Sequence, residues 1–310
     1  MIKDLTEPED LILSTERWEE DLPPERHWLV KLRSSLWQQK PALVGVLILL
    51  FVALLALLAP LVAPFDPDEQ SFARALKPPL TVIDGNLLLM GTDHLGRDLF
   101  SRVVYGSRIS IVVGVFAVLF SGGIGLTVGL ISGYFGGKVD YFLMRVADFV
   151  ISFPFILLAL AMISILGSSL WLIILVMSIR LWVIYARVVR GNVLSLKETE
   201  FVIAARAVGG SQFRIIFRHL MPNVLPPVII IASLYLGRMI IIEAGLSFLG
   251  LGVPPPTPTW GGLLAEGRSY LYVSWWIVTF PGLAITITVL GTNLVGDWLR
   301  DVLDPRLRAR

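Results

Sequence analysis

Long apolar runs recur along the whole chain, and they limit its fold more than any other feature. Six stretches, about 42–63, 109–133, 141–165, 170–190, 224–245 and 275–297, are each rich enough in apolar residues to cross a bilayer. About 20 such residues suffice for the hydrocarbon core. The expectation is an all-α integral membrane protein with six transmembrane helices and both termini on the same side. Composition agrees: 55% of the residues are hydrophobic and 16% charged, against about a quarter charged in ordinary soluble domains. A net charge of +2 makes no case for nucleic-acid binding. There are no cysteines, which excludes disulfides, cysteine-ligated metals and thiol catalysis. His27, His94 and His219 are far apart and in no ligand spacing, so no metal is expected.

Residues 1–35 are acidic and polar, too poor in apolar surface for a core. They read as an N-terminal tail, with the transmembrane domain over 36–310. Lysine and arginine are dense before the first span, over 180–218 and in the last residues, and sparse at 166–170 and 246–273. That asymmetry places both termini and the 191–223 loop in the cytoplasm. On the outer side, 91–108 and 263–272 read as interfacial helices. In the first of these Leu99, Arg102, Val103 and Gly106 share a face, and Asp98 stands four residues before Arg102 as a candidate ion pair. Trp275 and Trp276 suit an interfacial belt.

Within the spans a few residues stand out. Gly125, Gly129 and Gly133 recur every four residues and form a small face for close helix packing. Pro154 is a candidate kink in the third span. Arg180 and Arg238 fall near mid-bilayer, where a charge is costly and by default functional. They are candidates for a translocation path that attracts anionic groups, or for pairing with Glu243 or with an acid of a partner.

The polar loop reads ETEFVIAARAVGGSQFRIIFRHLMPN over 198–223. Phe201, Ala205 and Val208 fall on one helical face, and Phe213, Ile216, Phe217 and Leu220 on another. Gly209 and Gly210 separate the two and suit a sharp turn. Thr199 or Ser195 is a candidate cap for the first helix. The pattern fits either a docking element for another protein's groove or a loop folded back on its own domain. No GxxxxGK[ST] phosphate loop is present, so ATP hydrolysis is not expected of this chain. HExxH and nucleophile–base motifs are also missing, so no catalytic residue is assigned.

The loop resembles the EAA loop of permease subunits from ATP-binding-cassette importers, E-A-A-x-x-x-G followed after nine residues by I-x-L-P. Its counterpart here is Ile203-Ala204-Ala205, Gly209, then His219-Leu220-Met221-Pro222. The acidic position is taken by Ile203, with Glu200 three residues earlier. The stretches at 91–110, 133–160, 185–209 and 243–261 are similar to C-type subunits of the oligopeptide/dipeptide permease family, a resemblance covering about 33–308. It implies the fold of a type I importer permease with a cytoplasmic coupling helix and outer interfacial helices. It further implies half of a pore for peptides or similar solutes in a bacterial or archaeal inner membrane. The implied partners are a second, paralogous B-type permease, two cytoplasmic ATPases and an extracytoplasmic solute-binding protein. ATP and Mg would be used by the ATPases, with no cofactor on this chain. Coupling would fall to Glu200, Ile203, Ala204, Ala205, Gly209, Gly210, Phe213 and Pro222. The competing reading is an ion-coupled secondary transporter, against which stands the lack of a clear inverted repeat of broken helices with matching acids.

Overall fold

The computed structural model describes residues 35–83 and 85–303; most of the expected N-terminal tail, and residues 304–310, lie outside them. Helix α1 (Lys40–Leu57) is the first expected span, continued by a short α2 (Ala59–Val62) that begins on Ala59-Pro60. Proline is tolerated there because the first turn's N–H groups have no partner inside the helix. Ala42, Gly45 and Val52 of α1 are buried, while Leu47, Phe51 and Leu54 are exposed, as lipid-facing side chains are. An antiparallel hairpin follows, β1 (Thr81–Ile83) and β2 (Asn86–Leu88), with Val82 opposite Leu87. The all-helical expectation did not include it.

Three expected boundaries are corrected. The outer helix read over 91–108 and the span at 109–133 are one helix, α3 (Leu99–Phe135), 37 residues long. At about 1.5 Å per residue it measures about 55 Å, well beyond a core of about 30 Å. The polar residues near its start mark a membrane border, not a helix end, because no proline interrupts the backbone bonding. Its start is fixed by Asp98, which accepts a bond from the Ser101 N–H at 2.8 Å, a side-chain cap.

The third span is broken rather than kinked. Helices α4 (Gly137–Ser152) and α5 (Phe155–Leu166) meet at 86° across Phe153-Pro154. Proline disfavours helical geometry in the residue before it, and Phe153 is extended at ψ 132°. Helix α6 (Leu170–Leu196) and the short α7 (Glu200–Ala207) come next. Helix α8 then runs from Gln212 to Phe248. The second of the two short loop helices is therefore continuous with the helix of the fifth span, which begins at 212. A π-helical segment, Ile215–Leu220, precedes Pro222. Such local adjustments let membrane helices accommodate proline, here also Pro226 and Pro227.

Helix α9 (Trp260–Gly267) lies between the last two spans, capped by Thr259, and α10 (Trp276–Leu303) ends the described chain. Among the described residues, five helices are long and apolar enough to span a bilayer, and six spans result if the bent α4–α5 pair counts as one.

Helices α3 and α6 share the most extensive contact. Gly125, Gly129 and Gly133 face Tyr185, Val189 and Val193, which also step by four. A Cβ on Gly129 would stand 2.6 Å from that of Val189, and one on Gly133 2.7 Å from that of Val193. The hydrogen in place of a side chain thus sets the helix separation. At the α9 end, Leu99, Val103, Trp260, Leu263 and Trp276 form a second core. Trp260 Nε1 donates to the Val103 carbonyl at 2.9 Å and Trp276 Nε1 to that of Thr92 at 3.0 Å. Trp276 is therefore a buried strut; Trp275 beside it is exposed.

Candidate coupling surface and transmembrane cleft

Helix α7 is held to the spans by Val202, which is fully buried against Val189, Ile215, Leu220 and their neighbours. This differs from the faces read in the sequence. Phe201 and Val208 are exposed, and of the second set only Ile216 and Leu220 are buried, with Phe213 and Phe217 outside. The wider π turns shift the helix phase, so that Ile215, Ile216, Leu220 and Val224 point inward. Thr199 sits at the N-cap of α7, but its hydroxyl donates back to the Leu196 carbonyl at 2.5 Å instead of capping.

The outcome is an exposed apolar surface built from Phe201, Ile203, Ala204, Val208, Phe213 and Phe217. Phe213 and Phe217 stack with ring centroids 6.3 Å apart. Glu200 and Pro222 are exposed at its margins, and Ala205 is half-buried toward the core. Gly209 takes the left-handed conformation at φ 81°, which a side chain would resist. Gly210 N–H then donates to the Ala205 carbonyl at 3.0 Å and closes the turn.

The base of this surface is braced. Arg190 grips Asp140 with two bonds of 2.5 and 2.6 Å, and Ser132 donates to the same carboxylate. Arg206 lies over the Tyr134 ring at 5.5 Å. These contacts link α7 to α3, and α3 to α4 and α6.

A cleft of about 480 Å³ opens between α5, α6 and α8. Arg180, Arg238 and Tyr235 supply its polar lining among apolar residues such as Met177, Leu181 and Ile242. The Arg238 guanidinium lies over the Tyr235 ring at 5.4 Å. Glu243 is placed elsewhere: it is fully buried, accepting from Ser110 Oγ at 3.1 Å and Ser247 Oγ at 2.7 Å. It neither lines the cleft nor pairs with either arginine, because its position on α8 turns it toward α3.

At the α9 end is a charged cluster that the sequence did not reveal. Arg102 contacts Asp93 at 2.7 Å and Glu266 at 2.6 Å, and Arg97 contacts the same two acids at 2.6 Å each. Asp98 does not pair with Arg102; its Oδ2 instead accepts from the Ser101 N–H and hydroxyl. Burial works to raise the Glu266 carboxyl, but the bond from Arg102 and the charges of Arg102 and Arg97 outweigh it, leaving it below the ordinary glutamate range. Asp98 is shifted the other way: burial raises it more than the Ser101 bonds lower it, and the Asp93 charge adds to the rise. Asp93, His94 and Glu266 also bring potential ligand atoms within 4.8 Å of one another. Both carboxylates already face guanidinium groups, so the cluster is balanced without a cation.

Bilayer-long helices around a cleft that carries two arginines define a multi-pass membrane protein. The chain belongs to the family described as binding-protein-dependent transport system inner membrane component, which it matches over residues 125–309. Residues 32–79 match the N-terminal TM domain of oligopeptide transport permease C. It is 40% identical over 302 residues to the dipeptide transport system permease protein DppC of Alkalihalophilus pseudofirmus, covering 97% of this chain and 94% of that one. The oligopeptide transport system permease protein OppC of Bacillus subtilis is 39% identical over 280 residues, 90% of this chain and 89% of its own. The glutathione transport system permease protein GsiD of Pectobacterium atrosepticum is 39% identical over 283 residues, 91% and 92% of the two chains. A chain of the MetNI methionine ABC transporter, in an inward-facing form, shares the fold at a TM-score of 0.53 and 22% identity, covering 65% of this chain and 96% of that one. This protein is a permease subunit of an ATP-binding-cassette importer, a transport subunit and not an enzyme.

Proposed function

We propose that this permease forms half of an import pathway for peptides or chemically similar small solutes, driven through the α7 surface by separate ATPases. The observation that carries the reading is the exposed apolar surface of Phe201, Ile203, Ala204, Val208, Phe213 and Phe217 on a braced base. Apolar side chains outside the lipid zone need a partner to cover them, and a short helix entering a groove is a familiar mode of docking. The relatives' names favour peptides as cargo.

In this reading α7 faces the cytoplasm, as the lysine and arginine distribution favours, and so do both termini. The chain pairs with a second, paralogous permease and with two ATPases that use ATP and Mg. A solute-binding protein outside the membrane delivers the cargo. Closure of the ATPases moves α7 through Glu200, Ile203, Ala204, Ala205, Gly209, Gly210, Phe213 and Pro222. The cleft with Arg180 and Arg238 forms part of the path, and Gly125, Gly129 and Gly133 keep α3 and α6 moving together.

The test is co-purification. Ala204→Glu and Phe213→Asp change exposed positions, so the permease should insert normally yet lose its ATPase and its ATP-dependent uptake. Retention of a full complement of ATPase by both variants would refute the coupling role.

A further inference from the structure

The arginines of the cleft share a depth. Arg180 lies about ten residues from the Leu170 end of α6, and Arg238 about ten from the Phe248 end of α8. At about 1.5 Å per residue both stand about 15 Å inside, the middle of a core about 30 Å thick. Both line one cleft, on two different helices. Among the described residues neither has a carboxylate within ion-pair distance. The acid nearest to Arg238 in sequence, Glu243, is occupied by Ser110 and Ser247. Two unneutralised guanidinium groups at this depth carry a large electrostatic cost unless something anionic visits them.

We infer that Arg180 and Arg238 form a two-point subsite for a carboxylate of the travelling solute. This deepens the proposed import function and rests on it. The guanidinium fork suits a carboxylate better than a point charge does, and forked bonds to a carboxylate are short and strong. Tyr235 holds the Arg238 head in the cleft by lying beneath it. The apolar lining around the pair leaves room for the rest of a small solute and makes few specific contacts with it. A peptide with a free C-terminus has the required chemistry: one carboxylate, constant in every sequence, followed by a variable body. The membrane subunit then selects for the constant group and not for side chains.

The complete transporter, with its partner permease, ATPases and binding protein, is placed in vesicles. ATP-driven uptake of trialanine and of trialanine amide is compared at equal occupancy of the binding protein. Arg180→Gln and Arg238→Gln should each cut trialanine uptake about tenfold, the loss of a bond to a charged group, while changing amide uptake less than about twofold. Arg180→Lys and Arg238→Lys should recover part of the trialanine rate. Equal losses for both peptides overturn the inference. So does loss of the partner permease from the purified complex of the Gln variants, which would assign the arginines to an acid of that partner. A wild-type complex that holds its ATPases yet moves neither peptide refutes the peptide reading itself, a result separable from failure of the arginine pair alone.

Discussion

Two pairs of arginines sit in this protein under opposite conditions. Arg97 and Arg102 are buried at the α9 end, and two carboxylates reached from separate elements, Asp93 and Glu266, face them. Arg180 and Arg238 line a cleft and, among the described residues, face no acid. The first pair is an internal clamp that ties α3 to α9 and the preceding loop. The second pair keeps its charge available. Charge neutralised inside the chain holds elements together, whereas charge left open can recognise something that comes and goes.

The largest effect expected from this contrast is on stability. Arg102→Met leaves Asp93 and Glu266 short of a counter-charge in a buried site and should cost about 3–5 kcal/mol, read by unfolding of the purified protein in detergent. Arg238→Met should cost less than about 1 kcal/mol, since it loses the Tyr235 ring contact but no buried ion pair. Similar losses at the two positions would break the comparison. A middle-sized effect separates charge from packing. Gly129→Leu forces a side chain against Val189 and should cost about 1–3 kcal/mol by overpacking. Gly123→Leu, where a Cβ meets nothing within 4 Å, should cost about 0.5 kcal/mol or less.

The smallest effect is pH-dependent. The Glu266 carboxyl titrates below its ordinary value of 4.5 in the folded protein. Its contribution is therefore present above that value and lost as pH falls through the folded one. Asp98 is raised, so its burial is unfavourable at neutral pH and eased by acid, which partly offsets the loss. Unfolding followed from pH 6 to pH 3 should show stability falling in the acid range, with the slope reduced in Glu266→Gln. An unchanged slope in that variant would detach the clamp from Glu266.

Much of this was legible in the sequence because it depends on local composition. The apolar runs fixed the spans, since a bilayer accepts only backbones that bond within themselves. The four-residue glycine step fixed a helix face, and that face meets Tyr185, Val189 and Val193. The double glycine marked the break that follows α7, which ends at Ala207. Other features misled for physical reasons. The i,i+4 rule favoured an Asp98–Arg102 pair, but a residue at an N-cap is drawn to free backbone N–H groups. A 3.6-residue period put Phe217 on one face with Ile216 and Leu220, and the π segment Ile215–Leu220 changed the phase. Pro154 marked a disturbance without saying how large; the measured angle is 86°.

The sequence by itself determined that this chain is a helical membrane protein, where its polar loop lies and, through its motifs, which family it belongs to. Those conclusions rest on residue types and short spacings, which neighbours cannot alter. Only the tertiary structure decided which charges are answered. Glu266 reaches Arg102 across 164 positions of chain, and Glu243, five positions from Arg238 along α8, turns to Ser110 instead. Ion pairing acts over a few ångströms of space, and distance along a chain does not measure it.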